Sequence, residues 1–212
     1  MILHPELERW LDGFSRDRRV LDFGCGNGDV VALLQARGWD AWGADIALPL
    51  QHSERLTLIE SGATTFPAGW FDLVISQEVF EHVADLSSVA RELWRITKPG
   101  GSELHVVPAQ LRVIEPHIFM PLVHWLPKNR LRRWAVALCV RLGVGLTSEI
   151  NQAAIVGMTR REVIDFEFRY LCDHTFYRRV GDITRQFCER GFKVCLPVER
   201  HRKLQGRPLL AR

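Results

Sequence analysis

The chain has 212 residues, 47% of them hydrophobic and 25% charged, which suits one ordinary globular domain with a sizeable core. A formal net charge of +3 is too small to point to nucleic acid, and no such partner is expected. The longest apolar run, Trp134–Leu146, is broken by Arg141 and is too short to span a bilayer.

The first residues, Met1-Ile-Leu-His-Pro-Glu6, show no basic region followed by an apolar one, so no secretory signal is expected. A lead helix is predicted over Pro5–Phe14, with Leu7, Trp10, Leu11 and Phe14 on one face. Arg19–Phe23 reads as a short apolar strand opening into a glycine-rich turn, and Asp29–Ala36 as a helix that stops at Gly38. Ala41–Asp45 and Leu56–Glu60 follow as the second and third strands. Phe71–Ser76 is the fourth, apolar enough for a buried parallel strand. The helix over Leu86–Ile96 groups Leu86, Val89, Ala90 and Leu93 and is ended by Lys98-Pro-Gly-Gly101, before a fifth strand at Glu103–Val107. Alternating strands and helices predict a parallel sheet covered on both faces.

Residues 111–165 break this rhythm. Pro116, Pro121 and Pro127 surround histidines and tryptophans, and a basic amphipathic helix follows at 128–142. Leu131, Trp134, Ala135, Leu138 and Leu142 share one face of it. The segment is expected to be an inserted lid over the strand ends, its helix covering them with arginines in water. Peripheral contact with an anionic membrane through 128–142 is the alternative. Phe166–Leu171 is predicted as a strand because Phe166, Phe168 and Tyr170 alternate, although Thr159-Arg-Arg-Glu162 is also a helix-capping pattern. A helix over Phe176–Arg190 ends at Gly191, and Phe192–Val198 would be the last strand. Arg200, Arg202, Lys203, Arg207 and Arg212 are expected to form a solvated, mobile tail without the interleaved aromatics that would suggest RNA.

The chemistry is concentrated in Val20-Leu-Asp-Phe-Gly-Cys-Gly-Asn-Gly28. A strand opening into three glycines at alternate positions lets the backbone approach a ligand, and the following helix points its first amides toward it. Alone, such a loop is compatible with a dinucleotide or a plain tight turn. Asp29 stands where the dinucleotide fingerprint has its third glycine, which disfavours a nicotinamide dehydrogenase. Asp45 ends the second strand, where a carboxylate accepts hydrogen bonds from ribose hydroxyls.

With Glu78-Val-Phe-Glu-His-Val83 and Arg95-Ile-Thr-Lys-Pro-Gly-Gly101 in the same order, the chain resembles the class I S-adenosylmethionine-dependent methyltransferases, closely over 19–108 and loosely over 172–198. The resemblance implies an α/β, Rossmann-like, doubly wound seven-stranded sheet, mostly parallel with an antiparallel last strand, in one domain over 1–212. It implies S-adenosylmethionine as cofactor, with Gly24, Cys25 and Gly26 around its methionine end, Asp22 beneath them and Gly28 also among the cofactor-binding residues. Asp45 would hold the ribose, Ile46 would follow it, and Gln77 would lie close to the sulfonium. Many relatives carry an aspartate for adenine after strand three; Glu60-Ser-Gly-Ala-Thr-Thr-Phe-Pro67 has none, leaving Glu60 or backbone groups for that task.

Transfer from a sulfonium mainly requires alignment of the acceptor, with a general base when the acceptor is a hydroxyl. His82 is the candidate. On a helical turn Glu78, Glu81 and His82 would share a face, as in metal-assisted relatives, with His174 in Asp173-His-Thr-Phe176 as a second imidazole; the expectation is nevertheless no metal. His117 and His124 are expected to pack within the lid, His105 to be structural, and His4, His52 and His201 to lie on the surface. The odd, scattered cysteines Cys25, Cys139, Cys172, Cys188 and Cys195 argue against disulfides and structural zinc and for a cytoplasmic setting. The acceptor expected is a small molecule, a glycan or a lipid-like compound methylated on oxygen. A non-catalytic module of the same fold and a metal-assisted enzyme acting on vicinal hydroxyls are the alternatives.

Overall fold

Proline at the first helical position and His4 before it start α1 (Pro5–Leu11), where the His4 ring nitrogen accepts the Glu6 N–H at 3.2 Å. The computed structural model describes residues 3–49, 53–108, 110–145 and 154–196, and the backbone of 207–211. Helix α1 buries Leu7 and Leu11 and stops short of the expected Phe14, because Gly13 and Phe14 turn back to bond the carbonyls of Trp10 and Leu11.

The strands β1 (Arg19–Phe23), β2 (Asp40–Asp45), β3 (Leu56–Leu58), β4 (Phe71–Gln77) and β5 (Thr97–Val107) follow, with α2 (Asp29–Ala36) and α3 (Leu86–Ile96) between them. They pair in parallel in the order β3-β2-β1-β4-β5, a Rossmann-like α/β arrangement. Four of the five β1 residues are buried, as continuous apolar composition demands of a strand covered on both faces. Register sets the carboxyl ends of three strands side by side: Asp22 lies opposite Gly43 of β2 and Ile75 of β4. Strand β3 is shorter than expected. Strand β5 begins earlier, at Thr97 opposite Phe71, and a register shift before Ser102 absorbs Lys98-Pro-Gly-Gly101.

Helix α6 (Val180–Glu189) and β6 (Val194–Cys195) are shorter than the elements predicted there. The backbone of β7 (Arg207–Ala211) runs antiparallel to β5, with β6 antiparallel beside it. The expected mobile tail is therefore corrected over 207–211, while Arg200, Arg202, Lys203, Arg212 and His201 lie outside the described residues, as does His52.

The chain packs as two compact units, one of residues 1–80, 85–107 and 180–212, the other of 81–84 and 108–179. The second has its own core of Ile118, Met120, Val123, Val136, Val140, Val163, Ile164 and Leu171. It contains α4 (Arg130–Arg141) and α5 (Arg160–Asp173), joined by an Arg133–Asp165 ion pair of 2.6 Å. Helix α5 overturns the strand predicted at Phe166–Leu171. Thr159 and Glu162 form a reciprocal capping box, and Val163, Ile164, Glu167 and Leu171 are buried at helical spacing.

The face expected of α4 is corrected too. Its buried residues are Arg132, Val136 and Val140, whereas Leu131, Trp134 and Leu138 are exposed, Trp134 at 63%. Arg132 turns inward because the carbonyls of Leu126 and Leu171 accept its guanidinium hydrogens. Among the described residues no helix is long and apolar enough to cross a membrane.

Candidate functional site

In the first unit, β1 is followed by Gly24 and Gly26, both with positive φ (83° and 53°), and Gly28 forms the N-cap of α2 without a side-chain cap. The amides of Gly24 and Cys25 both donate to the Ala44 carbonyl, at 2.7 and 3.2 Å, fastening the loop to β2. Asp45 grips it from the same side: one carboxylate oxygen accepts the Gly26 N–H at 2.7 Å and the other the Ala47 N–H at 3.2 Å. Asp22 is 6% exposed; burial first, and the Asp45 charge second, push its carboxyl up to about 7. Burial, then Asp22 and Asp45, push the Cys25 thiol up to about 12, so it is no thiolate nucleophile at neutral pH.

Ile46 is 77% exposed just beyond β2, and the Gln77 side-chain oxygen at the end of β4 accepts the backbone N–H of His4 at 2.8 Å. Asp22, the three glycines, Cys25, Asp45, Ile46 and Gln77 thus all fall at the carboxyl ends of β1, β2 and β4. His4, expected at the surface, is instead half-buried. Glu60 is exposed and pairs with Ala63 through its backbone. His105 is structural, as expected: it lies between Ser76 (2.9 Å) and Glu103 (3.0 Å), all three at most 1% exposed.

The second unit holds a polar cluster. Glu78 does not share a helical face with Glu81 and His82, because the segment is an irregular turn with Glu78 itself at a φ of 54°. Instead Glu81, His82 and His117 converge, one ligand atom of each lying within 4.8 Å of the others. His82 Nδ1 lies 2.7 Å from the His174 carbonyl, so it carries the proton of that bond. His117 Nδ1 lies 2.9 Å from a Glu115 carboxylate oxygen and 3.1 Å from the Tyr177 hydroxyl. Glu115 is fully buried and also accepts the backbone N–H groups of His117 (2.8 Å) and Ile118 (2.6 Å) and the Tyr177 hydroxyl (2.5 Å). Burial alone would raise its pKa; bonds from His117, Tyr177 and Ile118 outweigh that and hold it below the usual carboxylate range.

Both Nδ1 atoms are therefore donors, and the Nε2 atoms of His82 and His117 face each other at 3.1 Å. Two lone pairs at that distance repel. A proton between them turns the contact into a hydrogen bond. His174 contributes its carbonyl to this arrangement rather than its ring as a ligand, and His124 stays outside it, buried against Tyr177 with ring centroids 5.1 Å apart.

The profile of the methyltransferase domain family matches residues 3–195. The chain belongs to this family. It is a class I S-adenosylmethionine-dependent methyltransferase, and S-adenosylmethionine is the methyl donor of the family. It is 37% identical over 114 residues to a ubiquinone biosynthesis O-methyltransferase of Bordetella avium (strain 197N), covering 47% of each chain. It is 34% identical over 115 residues to the protein of the same name from Paracidovorax citrulli (strain AAC00-1), covering 47% of this chain and 48% of that one. The chain spans about half the length of the curated relatives it matches. The structure of an S-adenosylmethionine dependent methyltransferase from Mesorhizobium loti aligns with a TM-score of 0.57 at 15% identity, over 98% of this chain and 94% of that one. One from Methanosarcina mazei aligns with 0.54 at 15% identity, over 100% and 96%. At such identities these structures show the fold alone.

Sequence reasoning about this methyltransferase missed Glu115 and Tyr177. Glu115 stands two residues before His117 in the inserted segment, with nothing in the sequence to join it to Tyr177, which lies in no motif. The loop supplies a prediction of its own. A Cβ on Gly24 would sit 2.3 Å from Val79 Cγ2 at a φ of +83°, whereas a Cβ on Gly26 meets nothing within 4 Å. Gly24→Ala should cost about 2–5 kcal/mol, left-handed strain plus overpacking, and Gly26→Ala only about 1–2. Thermal unfolding of both variants checks this; equal losses would remove the Val79 contact as the cause.

Proposed function

We propose that the chain transfers a methyl group from S-adenosylmethionine to a hydroxyl oxygen of a small molecule, with the His82–His117 pair receiving the hydroxyl proton. The 3.1 Å contact between two Nε2 atoms, each held with its lone pair inward, carries this assignment. The sulfonium of the donor makes its methyl carbon electrophilic. Asp45 would accept the ribose hydroxyls, the Gly24–Gly28 loop would admit the methionine end above Asp22, Ile46 would offer apolar contact, and Gln77 would lie near the sulfonium. The oxygen takes the methyl as its proton passes to the imidazole pair, and the Glu115 carboxylate stabilises the imidazolium through His117 Nδ1.

Oxygen as the accepting atom is supported by the name of the relatives, ubiquinone biosynthesis O-methyltransferase. A quinol-like ring fits best, with glycan and other lipid-like hydroxyls behind it. The same proposal includes one methyltransferase domain with 111–165 as its acceptor-binding insertion, a sheet closed to seven strands by β6 and β7, a cytoplasmic location, and peripheral membrane contact through 128–142. Exposed Leu131, Trp134 and Leu138 beside exposed Arg130 and Arg141 support that contact. Incubation with labelled S-adenosylmethionine and a panel of quinols, catechols and sugars tests the whole. Release of S-adenosylhomocysteine with a quinol or catechol is expected, and failure with every hydroxyl compound would sink oxygen transfer.

A second reading replaces the shared proton by a divalent cation held by Glu81, His82 and His117. The two imidazoles fit: tetrahedral zinc with nitrogen ligands has an edge of about 3.3 Å, close to the observed 3.1 Å, and a Glu81 carboxylate oxygen lies within 4.8 Å of them. Two imidazoles and one carboxylate suit Zn²⁺ or Mn²⁺ better than Mg²⁺.

Asp22 gives the donor site a pH signature. Its folded pKa of about 7 lies above the ordinary 3.8, so the native chain keeps a proton that the unfolded chain releases. That contribution to stability is full at acid pH and is lost as pH rises toward 7. A cationic methionine end above Asp22 favours its ionised form, so donor binding should release a proton and strengthen between about pH 5 and 7. Calorimetry in buffers of different ionisation heat should show this release, and Asp22→Asn should abolish it. An unchanged pH slope in Asp22→Asn would place Asp22 outside the donor site.

A further inference from the structure

Lys128, Arg132 and Arg178 line a cavity of about 290 Å³ in the second unit, together with His124, Thr175 and Tyr177. Backbone carbonyls hold each cation in place. Lys128 Nζ donates to the carbonyls of Cys172 (2.5 Å) and Thr175 (2.7 Å) and lies 4.1 Å from the centroid of the Phe176 ring. Arg132, 5% exposed, donates from Nε to Leu126, from Nη1 to Leu171 and from Nη2 to Leu126 and His124. Arg178 donates to the carbonyls of Phe176 (3.0 Å), Val83 (2.7 Å) and Ala84 (2.7 Å).

Carbonyl oxygens orient a cation without cancelling its charge. The ion pairs described in this unit, Glu115–His117 and Arg133–Asp165, leave Lys128 and Arg132 out. Burial first, and the Arg132 charge next, hold Lys128 below its ordinary pKa against the weaker opposite pull of Cys172 and Asp173; burial does the same to Arg132 against Cys172. Donor capacity remains as well. An ammonium has three N–H groups and Lys128 uses two, whereas Arg132 spends its guanidinium on four carbonyl bonds and the Cys172 side chain. A helix C-terminus favours a nearby cation, and the end of α5 would be served by one. Three around a single cavity exceed that need.

We propose that this cavity is an oxyanion site that takes a phosphoryl group, carried either on the acceptor or in a lipid headgroup. A phosphoryl group offers several anionic oxygens to cations arriving from different directions, whereas a carboxylate is met by one bidentate arginine. The methyltransferase reading gives the anion its use as an acceptor anchor; the charge arrangement stands without that reading.

Titration with inorganic phosphate at fixed ionic strength, followed by calorimetry, tests the site. Saturable binding is expected, weakened about tenfold or more in Lys128→Gln, the loss of one charge-assisted hydrogen bond. Arg130→Gln, on the exposed side of α4 and outside the cavity lining, should bind phosphate as the parent does. Absence of saturable binding, or equal weakening in Arg130→Gln, overturns the proposal. S-adenosylmethionine is titrated into the same samples: phosphate binding without donor binding keeps the anion site and sinks the methyltransferase reading instead. Co-sedimentation with phosphatidylglycerol vesicles, lost in Lys128→Gln, supports the site with a lipid headgroup as its ligand. Phosphate binding without vesicle binding supports it with a soluble phosphorylated acceptor.

Discussion

Asp45→Ala is expected to bind S-adenosylmethionine about 100-fold more weakly than the parent, the loss of two hydrogen bonds to a charged group at roughly 1.5 kcal/mol each. The effect has two sources. The carboxylate is the group proposed to accept the ribose hydroxyls, and it already holds the glycine loop through the Gly26 and Ala47 amides. Removing it leaves both amides to find other partners and loosens the loop that must approach the cofactor. Asp45→Asn separates the two roles, since its amide oxygen still accepts one backbone N–H while the negative charge is gone. Calorimetric titration of both variants, with thermal unfolding as the check on folding, measures the division. Parent-like affinity in Asp45→Ala would remove Asp45 from the donor site and leave it a loop fastener.

How much of this was legible follows from how local the signals are. Val20–Gly28 carries strand, turn and helix start within nine consecutive residues, and every one of those boundaries is met in the structure. The capping box at Thr159 and Glu162 was equally local, yet the alternation of Phe166, Phe168 and Tyr170 was given more weight. Three residues at period two are weak evidence when Val163, Ile164, Glu167 and Leu171 fit a helix over a longer window. The inward face of α4 failed for another reason: apolar periodicity assumes that arginines stay in water, and carbonyls of Leu126, His124 and Leu171 pay for burying Arg132. The polar cluster was the least legible part. His82 and His117 stand 35 residues apart, and Glu115 and Tyr177 stand 62 apart, so only tertiary structure brings them together. His82 was identified through its motif; its partner had to be found in space.

His117→Ala should lower kcat by about 1000-fold, within the range set by loss of a positioned general base, while leaving donor affinity unchanged. Without His117, His82 Nε2 loses the lone pair with which it would share the acceptor proton, and the Glu115 carboxylate no longer has an imidazolium to stabilise. Glu115→Gln should cost less, since the pair survives and only its compensating charge is removed. Its amide can still accept from Tyr177, so a large loss of thermal stability there would mark Glu115 as structural support alone. Chelation decides between the two readings of the pair. If turnover survives EDTA and falls in His117→Ala, the residues hold a proton. If EDTA abolishes turnover and Zn²⁺ or Mn²⁺ restores it, Glu81, His82 and His117 hold a cation that orients the acceptor oxygen, and the bound metal should then disappear from His117→Ala on elemental analysis.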